Sequence, residues 1–201
     1  MGESGVPLME RPVLTFPPEV AEWVRERYAA AEVILEYGSG GSTVLAAEMP
    51  GKTVFSVESD KSWAEGLAAF LAAGDFPSKV RLHHVDVGPT GKWGMPVDRT
   101  GLRRYHRYPI SVWERPDFVQ PDLVLIDGRF RLACALSTML LCTRPVTVLF
   151  DDYVNRPGYH AIERFLDVTE TRGRMARFEV EPQALPRDGL SVFAGAFAIP
   201  N

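Results

Sequence analysis

One short segment, VILEYGSGGST at residues 33–43, constrains the fold more than any other part of the chain. It begins as an apolar run typical of a buried strand, and a glycine-rich turn then leads into a helix that Ser42 or Thr43 can cap. Gly38 and Gly40 allow a tight turn and let a ligand approach the backbone without meeting a Cβ atom. This strand–turn–helix arrangement predicts a nucleotide-cofactor site in an α/β domain.

The chemistry of the turn indicates which cofactor it suits. A dinucleotide fingerprint requires glycine at its first, third and sixth positions, and counting from Gly38 places Thr43 at the sixth. Glu36 precedes the first glycine by two residues, where a carboxylate would repel an anionic pyrophosphate but attract a cationic ligand. The turn therefore favours a cationic cofactor over a nicotinamide dinucleotide.

A second acidic residue follows the next predicted strand. Residues 53–58 form an apolar run that ends in Glu58, about 20 residues after the turn, where nucleotide-binding sheets place an acid that accepts both ribose hydroxyls. The alternative is that Glu36 and Glu58 are ordinary carboxylates at strand ends.

The rest of the chain alternates between strand and helix patterns. Strands are predicted at residues 80–87, 123–127 and 146–151, and helices at 19–28, 61–73, 132–141 and 159–168. Continuous apolar runs indicate strands that are buried on both faces. Residues 176–180 and 190–199 are separated by a stretch containing Pro, Asp and Gly, which predicts an antiparallel hairpin that closes the sheet.

Together these features resemble the class I S-adenosylmethionine-dependent methyltransferases, whose first motif is an apolar strand, an acidic residue, any residue and then Gly-x-Gly-x-Gly; here Ser42 takes the place of the third glycine. The resemblance covers about residues 30–200. It implies a Rossmann-like α/β fold with a doubly wound, mostly parallel seven-stranded sheet, a C-terminal antiparallel hairpin and helices on both faces. It also implies S-adenosylmethionine as cofactor, bound by Glu36, Gly38, Ser39, Gly40, Glu58 and Asp86, with Asp86 contacting adenine.

Three carboxylates are predicted at one edge of the sheet. Asp127 follows the fourth strand, and Asp151 and Asp152 follow the fifth, so all three should lie beyond the carboxyl ends of parallel strands. Such a cluster is repulsive unless it is protonated or bridged by a cation such as Mg²⁺, which prefers oxygen ligands. The spacing is similar to that of metal-dependent O-methyltransferases acting on sugars and catechols, which implies that these three residues bind Mg²⁺. Arg129 and Arg131 offer an alternative means of neutralising them.

The catalytic residue stays open. In the sugar-modifying branch a carboxylate two residues after the first metal ligand is the usual base, and Arg129 stands at that position here. The candidates are Asp127, Arg129 and His106. The predicted activity is methyl transfer to an oxygen of a small molecule, driven chiefly by alignment of donor and acceptor. The alternatives are a methyltransferase-like nucleoside-binding protein without this activity and, less favoured, a nicotinamide-dependent oxidoreductase.

Residues 88–120 form a long segment with little periodicity, in which basic and aromatic residues interleave. Its length indicates a functional segment, and we expect a cover over the cofactor and substrate pocket whose arginines recognise an anionic or hydroxylated acceptor. The alternative is that its aromatics pack on the sheet edge or on another subunit, which leaves a homo-oligomer open. The predicted organisation is a single domain over 1–201, with a helical extension at 1–30.

Composition limits the partners. The chain has 201 residues, 46% hydrophobic and 24% charged, and a net charge of -4, which gives no general attraction to nucleic acid. No run approaches the roughly 20 apolar residues of a membrane span. The N-terminal residues lack a signal-peptide pattern, which predicts a cytoplasmic protein. We therefore expect a small-molecule acceptor, with no nucleic-acid or membrane partner.

Overall fold

The computed structural model describes residues 10–185 and 187–200, in which strands and helices alternate. The strands are β1 (Val33–Tyr37), β2 (Thr53–Glu58), β3 (Lys79–His84), β4 (Leu123–Ile126), β5 (Val146–Phe150), β6 (Val168–Arg172) and β7 (Met175–Val180). The α-helices are α1 (Pro18–Ala30), α2 (Gly41–Glu48), α3 (Lys61–Ala73), α4 (Arg107–Ile110), α5 (Arg131–Leu141) and α6 (Leu190–Ala196). Short 3₁₀ helices cover Lys92–Gly94, Leu102–Arg104, Pro157–Arg164 and Arg187–Gly189.

All seven strands belong to one sheet, in the order β3-β2-β1-β4-β5-β7-β6. Strands β1 to β5 are parallel, and β7 is antiparallel to both β5 and β6. The predicted fold class is confirmed. The chain proceeds outward from β1 to β3 and then returns to the other side of β1 at β4, so the direction of winding reverses between β1 and β4. Ligands of open α/β sheets bind beyond the strand ends at such a switch point.

The central strands are buried on both faces because helices cover each side of the sheet. Ile34 packs in the layer formed with α1, whereas its neighbour Leu35 packs in the opposite layer with α5. Helix α1 contributes Val20, Trp23, Val24 and Tyr28, whose spacing places them on one helical face. The continuous apolar strands in the sequence follow from this two-sided burial.

The predicted positions of the hairpin strands were partly wrong. The hairpin is formed by β6 and β7, which are joined through Gly173 at φ +55°, a conformation that glycine adopts readily. Residues 190–196 form helix α6 instead of a strand. Phe193 and Phe197 lie one helical turn apart with ring centroids separated by 4.8 Å, and both pack against the core.

Two other boundaries differ from the sequence prediction. The helix predicted at 159–168 is a 3₁₀ helix that begins at Pro157 and ends at Arg164, before β6 starts. Strand β3 ends at His84, short of the predicted residue 87. No described helix is long and apolar enough to cross a membrane.

The predicted N-terminal extension and the segment 88–120 both contain residues that lack regular structure and residues that pack on the core. Helix α1 begins at Pro18, residues 10–17 lack regular structure, and residues 1–9 of the predicted extension lie outside the described residues. Within 88–120, Tyr105 and Tyr108 are buried against Phe130, with ring centroids 4.9 and 5.5 Å from it. These two aromatics therefore pack against the protein core, as the alternative to a cover over the pocket predicted.

Candidate functional site

A cavity of about 950 Å³ opens at the carboxyl ends of β1, β2, β4 and β5. Its wall combines the glycine turn, the loop after β2, the residues after β4 and β5, and the segment 10–16. The lining includes Gly38, Ser39, Gly40, Glu58, Asp60, Trp63, Trp93, Gly94, Tyr108, Asp127, Gly128, Arg129, Arg131, Asp152, Arg156 and Arg174. The sheet thus places the predicted glycine turn and two of the three predicted aspartates in one space.

The turns after β1 and β4 approach each other so closely that only glycine fits in both. Gly38 has φ +100°, and a Cβ added there would lie 2.7 Å from the backbone nitrogen of Gly128. A Cβ on Gly128 would lie 2.7 Å from the backbone nitrogen of Gly38. This contact explains why glycine follows Asp127, and it fixes the distance between the two halves of the cavity wall.

Glu36 lies beneath the glycine turn and is fully buried. Its carboxylate accepts hydrogen bonds of 2.6 Å from the hydroxyls of Tyr28 and Thr43, and the Thr43 hydroxyl also accepts one from the backbone of Gly40 at 3.0 Å. Burial raises the pKa of Glu36, and the bonds from Thr43 and Tyr28 oppose that shift. The structure thus places Glu36 in support of the turn, outside the cavity wall; its direct contact with the cofactor stays a prediction.

Glu58 joins the glycine turn to the loop after β2. One carboxylate oxygen accepts from the backbone nitrogens of Ser59 and Asp60 at 2.7 and 2.9 Å. The other accepts from the Ser39 hydroxyl at 2.8 Å and from the Ser39 backbone nitrogen at 3.3 Å. The Ser39 hydroxyl can rotate away, which frees that oxygen for a hydroxyl of a ligand. Glu58 thus lies in the cavity wall and links the glycine turn to the loop after β2.

Two cavity residues in this half were missed in the sequence. Asp60 accepts from the backbone nitrogen of Trp63 at 2.9 Å and so caps helix α3. The Trp63 indole donates to the Ser39 carbonyl at 3.0 Å. The sequence did contain a signal for this pair, an aspartate that can cap a helix followed by an aromatic residue in the first turn.

The segment 88–120 contributes three residues to the wall, one of which is Tyr108. Trp93 and Gly94 line the cavity, and Trp93 is 71% exposed and has φ +61°. His106, a catalytic candidate, is exposed and lies outside the lining. Asp86, predicted to contact adenine, is also exposed outside the lining, where it pairs with Arg104 at 3.3 Å. The roles of His106 and Asp86 remain predictions without a described contact to the cavity.

The three predicted carboxylates do meet at one edge, but arginines lie among them. Asp151 is fully buried and receives two hydrogen bonds, of 2.9 and 2.7 Å, from Arg174. Arg131 is nearly as buried and bridges Asp127 at 3.1 Å and Asp152 at 3.3 Å. The Arg131 side chain therefore occupies the space between carboxylates in which a bridging cation would sit.

This donor set does not fit a divalent metal. Asp152 has further ion pairs with Arg156 at 2.8 Å and Arg174 at 3.2 Å. Within residues 10–185 and 187–200, no group of three or more His, Cys, Asp or Glu side chains is arranged to hold a metal ion. The predicted Mg²⁺ site of Asp127, Asp151 and Asp152 thus lacks structural support, because guanidinium groups already compensate the carboxylates.

Asp127 is the carboxylate of this cluster that is most open to the cavity, with its side chain 29% exposed. Burial raises its pKa to about 7; Arg131 opposes the shift, and the neighbouring charges of Asp151 and Asp152 add to it. A carboxyl with a pKa near neutrality that faces a cavity is suited to accept a proton.

Backbone strain is concentrated around the cavity. The non-glycine residues with positive φ in the described part of the chain are Trp93, Phe130 and Asp152. Trp93 and Asp152 line the cavity, and Phe130 directly follows the lining residue Arg129. Strained residues of this kind persist where the surrounding structure fixes them, and they are frequent at functional sites.

Comparisons with known proteins show which chains this one resembles. The chain is 51% identical to a methyltransferase-like protein from Silicibacter pomeroyi, with a TM-score of 0.91 over 94% of this chain and 99% of that one. No protein-family model matches the chain, and no curated protein matches it.

More distant structures share the fold. The O-methyltransferase TomG from Streptomyces achromogenes, solved with S-adenosylmethionine, is 17% identical, with a TM-score of 0.57 over 85% of this chain and 82% of that one. An O-methyltransferase from Bacillus cereus, solved with S-adenosylhomocysteine, is 16% identical, with a TM-score of 0.54 over 85% of this chain and 84% of that one. With the half-identical relative, these findings show that the chain belongs to the class I S-adenosylmethionine-dependent methyltransferase family.

Proposed function

We propose that this methyltransferase transfers a methyl group from S-adenosylmethionine to an oxygen of a small-molecule acceptor within the cavity. One observation carries the proposal: a single cavity joins the glycine turn and Glu58 on one side to Asp127 and Arg129 on the other. Its volume of about 950 Å³ lies at the upper end of the usual range for small-molecule sites, which suits a donor and a compact acceptor together.

The donor half would hold the nucleoside. The Glu58 oxygen that now accepts from Ser39 would accept from a ribose hydroxyl, and the open backbone of the turn at Gly38 and Gly40 would leave room for the sulfonium chain. The S-adenosylmethionine and S-adenosylhomocysteine seen in TomG and in the Bacillus cereus enzyme support this choice of cofactor.

The reaction would be an in-line displacement. The acceptor oxygen forms a bond to the methyl carbon, the carbon–sulfur bond breaks, and S-adenosylhomocysteine leaves with the electron pair. The proton of the acceptor hydroxyl passes to Asp127. Because the sulfonium is already a good leaving group, alignment can supply most of the rate enhancement, about 7–11 kcal/mol.

Asp127 makes this mechanism pH-dependent. Only the carboxylate form accepts a proton, so with a pKa of about 7 the kcat/KM should rise with pH up to neutrality and become constant above it. Asp127→Asn should lower kcat by about 10²–10⁴-fold and remove that inflection. A variant that retains both the rate and the inflection would show that another group takes the proton.

The same residue affects stability in a defined direction. The folded-state pKa of Asp127 lies above its ordinary value of 3.8. The folded state therefore favours the protonated carboxyl, and this contribution to stability is fully present below pH 3.8 and is lost as pH rises through about 7. Asp127→Asn should therefore be no less stable than the wild type above pH 7, as measured by chemical denaturation. This control separates a lost proton acceptor from a damaged fold.

Glu58 allows the cofactor half to be tested separately. Glu58→Gln keeps a carbonyl oxygen for the backbone nitrogens of Ser59 and Asp60 but removes the charge, so S-adenosylmethionine binding should weaken by about 1.5–3 kcal/mol. Glu65→Gln, which removes an exposed charge from α3, should leave affinity unchanged. Calorimetric titration measures both, and unchanged affinity in Glu58→Gln would mean that the ribose binds elsewhere.

The proposed activity is tested by following S-adenosylhomocysteine release with a panel of small hydroxylated acceptors. Turnover with an oxygen acceptor, lost in Asp127→Asn, is the expected result. Binding of S-adenosylmethionine without turnover on any acceptor would favour a nucleoside-binding protein, a reading that Arg129 at the usual base position also motivates.

A further inference from the structure

Four guanidinium groups lie around the three carboxylates at the acceptor side of the cavity, so at least one positive charge is in excess. Arg131, Arg156 and Arg174 are all paired with aspartates at 2.7–3.3 Å. The fourth, Arg129, has no hydrogen-bond or ion-pair partner for its side chain among residues 10–185 and 187–200, and its Nε atom is buried without an acceptor. Arg129 is the cavity cation that still lacks an anion.

The backbone around Arg129 is held in place on both sides. Its nitrogen donates to the Tyr108 hydroxyl at 3.4 Å, and its carbonyl accepts from the Cys134 thiol at 3.4 Å. The next residue, Phe130, is fully buried and has φ +53°. A fixed backbone that directs an arginine into a cavity is a preorganised arrangement for ligand binding.

The environment favours a ligand over a purely structural role. A guanidinium without an acceptor destabilises the folded chain, whereas an oxyanion in the cavity would accept from its terminal N–H groups. Burial and the neighbouring charge of Arg131 lower the pKa of Arg129, and the approach of an anion would relieve both effects. The guanidinium also presents a planar fork that pairs with a carboxylate or phosphate through two hydrogen bonds.

We infer that Arg129 binds an oxyanion, a carboxylate or a phosphate, of a ligand held in the cavity. The inference rests on the proposed function and extends it, because two bound molecules can supply this chemistry: an acidic methyl acceptor, or the carboxylate of the amino-acid tail of S-adenosylmethionine. In either case the position that holds a base in the sugar-modifying O-methyltransferases would recognise an anion in this chain.

The test compares Arg129→Gln and Arg129→Lys with Arg103→Gln, which removes an exposed arginine outside the cavity lining. Calorimetry would measure binding of benzoate, phenyl phosphate and the neutral benzyl alcohol, each with and without S-adenosylhomocysteine. It would also compare S-adenosylhomocysteine with methylthioadenosine, a nucleoside without the amino-acid tail.

An acceptor anion predicts that Arg129→Gln weakens benzoate or phenyl phosphate binding at least tenfold, with benzyl alcohol and S-adenosylhomocysteine unchanged. A cofactor carboxylate predicts a similar loss for S-adenosylhomocysteine with methylthioadenosine unchanged. Either result supports the inference and identifies the source of the anion. In both cases Arg129→Lys should retain part of the affinity because it keeps the charge but loses the fork.

The inference is overturned if Arg129→Gln binds every probe as the wild type does, or if Arg103→Gln shows the same losses. It is also overturned if the wild type binds the anions no better than benzyl alcohol and S-adenosylhomocysteine affinity is unchanged in Arg129→Gln. Failure of the proposed function has a different signature, since the wild type would then not bind S-adenosylhomocysteine, while the anion titrations of the protein alone could still be interpreted.

Discussion

Arg174→Met should lower the free energy of unfolding by about 3–5 kcal/mol, because it leaves a buried charge without a partner. Asp151 is fully buried, and both of its carboxylate oxygens accept from Arg174, at 2.9 and 2.7 Å. Asp152 loses a 3.2 Å ion pair to the same side chain. Chemical denaturation at pH 7 measures the loss directly.

Two comparisons make this result specific. Arg172→Met, at the end of β6, removes a more exposed arginine with longer ion pairs of 3.5 and 3.6 Å, and should cost about 1 kcal/mol or less. Adding Asp151→Asn to Arg174→Met should recover part of the lost stability, since the uncompensated charge is then gone. A loss below about 1 kcal/mol in Arg174→Met, or stability of the wild type that depends on Mg²⁺, would contradict the arginine-neutralised cluster.

Gly38→Ala should cost about 2–5 kcal/mol of folding stability, combining the strain of a positive φ with overpacking. The new Cβ would lie 2.7 Å from the backbone nitrogen of Gly128, and a backbone atom cannot move aside as a flexible side chain can. The turns after β1 and β4 would have to separate. We therefore expect the variant to lose cofactor affinity as well as stability.

Gly51→Ala separates the effect of backbone strain from the effect of overpacking. Gly51 also has a positive φ, +77°, but a Cβ there would meet no atom within 4 Å. Its cost should be limited to backbone strain, about 1 kcal/mol, and cofactor binding should be unchanged. If thermal and chemical denaturation give equal losses for the two variants, the contact between the two turns is not what requires glycine at position 38.

The sheet and the glycine turn could be predicted because their signals are local. A two-sided sheet produces continuous apolar strands, as in Leu123–Ile126, and a turn that needs a missing Cβ produces glycine at fixed spacing after the strand. The C-terminal hairpin was partly misassigned because β6, with the sequence VTETR, is a polar edge strand without an apolar run. Its pairing with β7 depends on contacts distant in sequence.

The site was predictable as a set of residues but not as a set of interactions. Asp127, Asp151 and Asp152 were expected at one edge, and they lie there because parallel strands end together. The pairing of Asp151 and Asp152 with Arg174 was not visible, because that arginine lies on the turn of the misplaced hairpin. The contact of Glu36 with the cofactor stays a prediction; in the structure its side chain lies on the α1 side of the sheet, where it accepts from Tyr28.

We expect this cavity to bind S-adenosylmethionine without a metal ion. The most direct test is calorimetric titration of S-adenosylmethionine and S-adenosylhomocysteine, each in the presence of Mg²⁺ and in the presence of EDTA. We predict one site per chain with micromolar affinity that is the same in both conditions. Binding that requires Mg²⁺ would contradict the arginine-neutralised carboxylate cluster, and absence of binding in every condition would contradict the donor site itself.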